Sequence, residues 1–410
     1  ILMYLKEDIK IPILTTKYNM IYNFLRKCIL EKSSNLTEEM SSFLDDISSK
    51  SWSCYDLQHS LFLAPNEIRT CCKRFFVEKK IKGDVSILTN QKYSYKEFNV
   101  SNIVREKKNL YAKINKGISD ECQGCPFLEF KEWNDFDDMS IEYISFEYHS
   151  ICNMKCIYCS DTYYGGEKNS YDIVSLVQDL INKQHLKSCN SIVWGGGEPT
   201  LDKNFSILLQ NITDNFPNVK QRLITNSTLF LEDVYQYINE NKISIVTSID
   251  AGSQEIFFKV RNSKKMQEVF KNLVKYSSKK PENIIIKYIV LDENRSLDEI
   301  LKFVELIQEY KLKKCNFQIS YDFKKESIDF QSASSIIILY GLLIELKVRV
   351  VFLDDLLRSR LANISNSYNQ MYQYLQEIGY HCILADVNEM TTPVVIWGAG
   401  QQTKILIEQT

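Results

Sequence analysis

No charge of one sign dominates this chain of 410 residues: 50 Lys and Arg face 52 Asp and Glu, a formal net charge of −2. That balance leaves no electrostatic footprint for nucleic acid or an anionic membrane surface. Long hydrophobic runs are missing as well. The longest strongly apolar stretch, Ile336 to Leu346, is too short to span a bilayer, and no charged-then-apolar signal segment opens the chain. Repeats and low-complexity runs are absent too. What is left, 44% apolar and 25% charged residues, is the composition of a soluble globular protein with room for two or three domains. The first residue is Ile1, so the natural start is expected to have been trimmed.

Cysteine is the residue in surplus. The 12 cysteines are clustered: Cys122 and Cys125 form CxxC, Cys152, Cys156 and Cys159 form CxxxCxxC, and Cys71 and Cys72 are adjacent. A secreted disulfide framework belongs to a short chain with a signal peptide, which this is not. Clustered cysteines in a cytoplasmic protein point instead to metal or iron–sulfur binding. The abundance of Lys, Ile and Asn suggests an AT-rich bacterial genome.

Three parts are expected. Residues 1–140 look irregular, with helical stretches at Lys17–Glu31 and Glu38–Ile47 and a strand-like segment at Leu61–Ala64. From 141 to 353 short apolar runs alternate with helix-like stretches. The strands are Ile141–Tyr148, Ser191–Trp194, Arg222–Thr225, Ile243–Ile249, Ile284–Leu291 and Asn316–Ser320. The helices are Ile173–Gln184, Phe205–Asn215, Leu231–Asn239, Met266–Lys275, Leu297–Tyr310 and Ser332–Leu346. Six such steps predict an α/β fold, a parallel sheet shaped as a partial (β/α)6 TIM barrel. Residues 354–410 hold a polar linker, a helix-like stretch at Tyr368–Ile378 and Val394–Gly400, a strand and glycine turn that open a helix. That resembles the first unit of a truncated Rossmann-like domain, so the sequence is expected to be a fragment of a longer protein.

The triplet Cys152, Cys156 and Cys159 follows the first barrel strand directly, at the face where barrel active sites sit. A [4Fe–4S] cluster normally takes four Cys ligands, so three leave one iron open. The competing reading is a structural zinc site with His149 as fourth ligand. Gly195-Gly196-Gly197-Glu198-Pro199 ends the second strand, where missing Cβ atoms let the backbone approach a ligand.

The spacing, together with this glycine segment, resembles the radical S-adenosylmethionine (radical SAM) superfamily over about residues 141–353. The resemblance implies a [4Fe–4S] cluster whose open iron binds S-adenosylmethionine. It also implies reductive cleavage to a 5′-deoxyadenosyl radical, hydrogen abstraction from a substrate, and an external electron donor such as flavodoxin or ferredoxin. Gly196, Gly197 and Glu198 would present backbone carbonyls to the cofactor's amino group, and Tyr158 would lie near its adenine. Thr225-Asn226 looks like the family's TN segment. With Ser248 and Asp250, which share one side of the fourth strand, Asn226 would serve the ribose or the methionyl part. Arg261 is a candidate partner for the carboxylate, with a solvated helix residue as the plain alternative. The fifth strand lacks the GxIxGxxE pattern of some members, which leaves Asn294 as a candidate adenine contact.

Upstream, Cys54, Cys71, Cys72 and the Cys122–Cys125 pair resemble SPASM or Twitch auxiliary modules, here placed before the barrel. They imply a second [4Fe–4S] cluster, with one of Cys71 and Cys72 spare; a four-cysteine zinc knot or buried thiols are the alternatives. Cys28, Cys189, Cys315 and Cys382 are assigned to packing. The C-terminal glycines, if the domain were complete, would bind NAD(P) or a nucleotide-sugar phosphate. The favoured substrate is a carbohydrate or nucleotide-linked sugar. The alternatives are a peptide and, in a different class, a non-catalytic iron–sulfur or zinc scaffold or electron-transfer protein.

Overall fold

The computed structural model describes residues 49–362, except 78–79, 137–138 and 161–164. Lys17–Glu31, Glu38–Ile47, Tyr368–Ile378, the glycine turn at Val394–Gly400, Cys28 and Cys382 lie outside the described residues.

The first part supplies β1 (Ser51–Ser53), α1 (Tyr55–His59), β2 (Ser60–Leu63), β3 (Glu67–Arg69), β4 (Arg74–Val77), β5 (Lys80–Gly83), β6 (Ser86–Thr89), α2 (Val100–Lys116) and β7 (Glu129–Lys131). An alternating series follows: β8 (Tyr143–Phe146), α3 (Ile173–Asn182), β9 (Ser191–Trp194), α4 (Phe205–Asn215), β10 (Lys220–Ile224), α5 (Glu232–Asn239) and β11 (Ile243–Ser248). It continues with α6 (Gln254–Arg261), α7 (Met266–Tyr276), β12 (Ile284–Val290), α8 (Leu297–Glu309), β13 (Asn316–Tyr321), α9 (Phe330–Glu345), β14 (Val350–Leu353) and α10 (Asp355–Ala362).

The fold is α/β with a parallel sheet, as expected. All six expected barrel strands form, but the sheet is wider than six. Its order is β14-β13-β12-β11-β10-β9-β8-β2-β3-β6, ten strands in all, of which only β3 and β6 run antiparallel to their neighbours. Among the described residues it does not close: β14 and β6 are its edges. β1 pairs with β7, and β4 with β5, in two small separate sheets.

The sheet also continues across residue 140, where the sequence changes character. β2 runs parallel to β8, with Ser60 opposite Tyr143 and Leu63 opposite Phe146. The region expected to be irregular contains the 17-residue α2, capped by Asn99 at one end and by Gly117 in the left-handed region (φ +68°) at the other. Its buried stripe is Val100, Ile103, Lys107, Leu110 and Ile114. The Lys107 ammonium, fully buried, donates to Leu57 O at 2.8 Å and Ser60 O at 2.9 Å.

Alternation in β12 shows how the sheet divides its faces. Ile284, Ile286, Tyr288 and Val290 are buried, and Tyr288 meets Phe303 of α8 edge-on at 4.8 Å. Ile285, Lys287 and Ile289 therefore face the other side. Register places Ser248 and Gln318 on either side of Lys287, so this inner face is polar at mid-height. Under the helices, Phe146 stacks on Trp194 at 4.2 Å, and the Trp194 indole donates to Gln221 at 2.9 Å. Truncating so large a buried ring costs about 3–5 kcal/mol.

Candidate active site

The loops after β8, β9, β10 and β11 meet at the C-terminal ends of the strands. Gly197 N donates to His149 O at 2.9 Å, and Glu198 N to Ile151 O at 2.8 Å, so the glycine turn runs against the segment leading into Cys152. The approach is too close for side chains. A Cβ on Gly197 would sit 2.3 Å from Ile151 O. One on Gly196, at φ +89°, would sit 2.8 Å from Glu147 Cα. Gly195 is under no such pressure, its nearest neighbour being 3.8 Å away.

The Glu198 side chain works inside the scaffold. Its buried carboxylate accepts from Thr200 Oγ1 and Thr225 Oγ1 at 2.6 Å each, and from Asn226 N at 2.6 Å. Burial pushes this carboxyl up, against the pull of those hydrogen bonds. Asn226 donates to Asn153 Oδ1 at 2.6 Å and lies 3.9 Å from Cys152 Sγ, while its own oxygen accepts from Thr228 N and Oγ1 at 3.0 and 2.7 Å. The segment after β10 thus holds the cysteine loop through Asn153 and Cys152.

On the other flank, Tyr158 donates to Asp250 Oδ2 at 2.8 Å. Arg261 pairs with the same oxygen at 3.0 Å and also donates to the Tyr158 hydroxyl. Asp250 Oδ1 accepts from Ile289 N at 2.7 Å. Arg261 is therefore not a solvated helix residue: it is 5% exposed, and its Nε has no hydrogen-bond partner among the described residues. Burial, then the Asp250 carboxylate against the opposing Arg261, pushes the Tyr158 hydroxyl well above its ordinary value, so it stays a neutral donor. Ile157 N donates to Val260 O at 3.0 Å, tying the cysteine loop to the last turn of α6. Ser248 is half-buried on the inner face. Asn294 does not face this site: its amide holds Asp250 O and Ile289 O at 2.9 and 2.8 Å and accepts from Leu291 N at 2.7 Å. It is part of the turn after β12, which overturns its candidacy as an adenine contact.

Cys152, Cys156 and Cys159 are half-buried, and no disulfide involves them. Burial, then the neighbouring Cys156 and Cys152, push the Cys159 thiol up to about 11, and burial raises Cys152 too. Three thiols on one loop, with a glycine backbone and a buried guanidinium nitrogen beside them, fit an iron–sulfur cluster. Zinc fits poorly. Among the described residues no three His, Cys, Asp or Glu converge as a single ion requires. His149, which burial keeps neutral, uses Nδ1 to accept from Ile151 N at 3.3 Å.

The upstream cysteines divide. Cys54 caps α1, accepting from Leu57 N at 3.4 Å. Burial raises its thiol to about 12, with Cys71 and Cys125 adding to the shift. Burial also raises Cys122 to about 12, and there Cys54, Cys125 and Cys71 contribute. These four sense one another. Burial raises the Cys72 thiol too, with Glu147 and Asp84 contributing before Cys71, and Cys72 in turn adds to the upward shift of Tyr143 on β8. Cys189 is half-buried and Cys315 buried, consistent with packing.

Residues that the sequence reading missed are Asn153 and Thr228, which hold Asn226, and Lys287. A lone lysine in the apolar run Ile284–Val290 was the available signal for Lys287.

Comparison with known proteins matches residues 146–307 to the Radical SAM superfamily model. Residues 146–307 are a radical SAM domain. The cofactors of this superfamily of enzymes are a [4Fe–4S] cluster and S-adenosylmethionine. Among curated relatives, the GTP 3′,8-cyclase of Clostridium botulinum (strain Okra / Type B1) is 25% identical over 174 residues, 42% of this chain and 54% of that protein. The GTP 3′,8-cyclase of Pasteurella multocida (strain Pm70) is 26% identical over 181 residues, 40% of this chain and 53% of that protein. The chain thus spans about half the length of the curated relatives it matches. Solved structures with partial likeness include native anSMEcpe with bound AdoMet, 19% identical with a TM-score of 0.42, covering 51% of this chain and 63% of that one. Streptococcus suis SuiB bound to precursor peptide SuiA is 15% identical with a TM-score of 0.43, covering 66% of this chain and 68% of that one. No described helix is long and apolar enough to cross a membrane.

Proposed function

We propose that this chain holds a [4Fe–4S] cluster on Cys152, Cys156 and Cys159 and uses it to cleave S-adenosylmethionine reductively. The observation that carries the reading is the seating of the cysteine loop: Gly196 and Gly197 on one side, Asn226 beneath, and Tyr158–Asp250–Arg261 on the other flank. The cofactor pair supplies a 5′-deoxyadenosyl radical for hydrogen abstraction. The protein's residues bind and orient. The Gly196–Gly197 backbone and Ser248 offer polar contacts to S-adenosylmethionine, and the unpartnered Arg261 Nε is a donor for its carboxylate. Glu198 and Asn226 act through the loops they fix. Tyr158, held by Asp250, packs beside the third cysteine.

Cys54, Cys71, Cys122 and Cys125 form the ligand set of a second, auxiliary cluster, in a module that resembles SPASM or Twitch, and Cys72 is the spare. The substrate is a small molecule at the inner face of the sheet. The names of the curated relatives support a nucleotide; the expected carbohydrate or nucleotide-linked sugar rested on the C-terminal glycines, which lie outside the described residues. An external flavodoxin or ferredoxin supplies electrons, in the cytoplasm.

Anaerobic reconstitution, dithionite and S-adenosylmethionine should yield 5′-deoxyadenosine. Yield no higher than that of a Cys156→Ala control would sink the catalytic reading and leave the iron–sulfur scaffold. Iron counting on a variant lacking Cys152, Cys156 and Cys159 tests the auxiliary site alone, with about four irons expected.

A further inference from the structure

In barrel-like folds the C-terminal ends of the strands carry the chemistry, and the N-terminal face serves stability. Here the N-terminal face holds a cavity of about 420 Å³, the size of a small-molecule site. It is formed where β8 to β11 begin and by the loops before β11 and β12. Lys220, Arg222, Asn241, Lys242, Ser244 and Asn283 are among its walls, and no Asp or Glu lines it.

The charges are unevenly matched. Lys242 is paired to Glu240 at 2.6 Å. Lys220 and Arg222 are exposed, and among the described residues neither side chain takes part in a hydrogen bond or ion pair. Their neighbours Gln221 and Leu223 are buried on the opposite face, where Gln221 bonds Trp194 and Thr213. Strand alternation therefore keeps both cations on the inner face. Asn283 donates to Asn241 Oδ1 at 3.0 Å, which leaves the Asn241 amide N–H groups as donors. Glu147 is the next acid along the β8 wall. It lies beyond the cavity's lining and accepts from Ser145 at 3.0 Å.

Two like charges in an acid-free hollow repel each other until an anion joins them, and a concave wall concentrates their field. A guanidinium fork matches phosphate oxygens, with a lysine as a second point charge. We propose that this cavity binds a phosphorylated ligand through Arg222 and Lys220. The phosphoryl group belongs either to the tail of the substrate or to a separate effector. Arg222 lies on β10 and Asn226 two residues past its end, about 13 Å on for extended backbone, so an elongated molecule spans from this cavity to the cysteine loop. Ile224, 46% exposed, stands on that path.

Calorimetry on the full chain with inorganic pyrophosphate tests the proposal without turnover, so its outcome is separate from that of S-adenosylmethionine cleavage. Saturable binding is expected, weakened at least about tenfold in Lys220→Met/Arg222→Met, as loss of charge-assisted contacts implies. The charge-matched control Lys271→Met/Lys313→Met, on the exposed surface, should bind as the parent does. Arg222→Lys should retain intermediate affinity, which separates loss of the site from loss of the fold. No saturable binding by the parent, or equal weakening in the control, would overturn the proposal. Ile224→Trp distinguishes the sources. If the pocket takes a substrate tail, ATP or GTP binding falls while pyrophosphate binding holds; if it takes an effector, both hold.

Discussion

The Tyr158 hydroxyl donates to the Asp250 carboxylate at 2.8 Å across 92 residues of chain, and Arg261 joins the same oxygen. This contact fixes the third cysteine's neighbour to the end of the fourth barrel strand. It also explains how a guanidinium can be buried there, since Asp250 is 0% and Arg261 5% exposed.

Removing one member of that pair should be worse than removing both. Asp250→Asn leaves Arg261 buried without its counter-charge and should lower stability by about 3–5 kcal/mol. The double variant with Arg261→Met should fall well short of the sum of the two single losses. Urea midpoints across the four proteins measure the coupling; strict additivity would show that the pair is not a unit.

Glycine substitutions should separate by position. Gly197→Ala drives a Cβ to 2.3 Å from Ile151 O, and Gly196→Ala adds strain at φ +89°, whereas Gly195→Ala meets nothing nearer than 3.8 Å. The first two should lose the iron of the triplet and keep that of the upstream set. The third should keep both, as iron and sulfide counts would report.

Cys71→Ser and Cys72→Ser should also diverge. Cys71 lies within electrostatic reach of Cys54, Cys122 and Cys125, and Cys72 within reach of Glu147 and Tyr143. In a background without the triplet, Cys71→Ser should abolish iron binding and Cys72→Ser should leave it intact. The reverse result would reassign the spare.

Lys107 gives the metal-free protein a pH signature. Burial pulls its ammonium down to about 7 from an ordinary 10.5. Between those values the unfolded chain holds a proton that the folded chain has released, so stability rises with pH. Buried thiols work the other way from about 9 upward: Cys54 and Cys122 stay protonated in the folded state to about 12 while the unfolded chain ionises. Urea midpoints from pH 7 to 8.5 should climb in the parent and climb less in Lys107→Met. That variant should also be less stable at pH 8.5, because Leu57 O and Ser60 O lose their donor, at about 1–3 kcal/mol for each unsatisfied group.

The parts legible in the sequence were those with local signals. The six strands, their helices and the cysteine and glycine loops follow from period, turn chemistry and spacing. α2 escaped because Lys107 sits in the middle of its buried stripe and breaks the apolar period. β2 was legible as a strand but not as a neighbour of β8, because parallel pairing across some 80 residues leaves no local mark. Arg261 looked like a surface residue because its partner Asp250 comes from a different element. Asn294 looked like a ligand contact because a buried turn amide and a binding-site amide read alike in one dimension.

The pairing of β2 with β8 bears on how such a chain can be inherited. A chain begun at residue 141 would bare the backbone edge of β8 beside Ile144 and Phe146, inviting edge-to-edge aggregation. Cys71 follows β3 and the triplet follows β8, two strands of one sheet with β2 between them. Recombination cannot swap one set and leave the other intact, so the two are expected to travel as a single heritable unit.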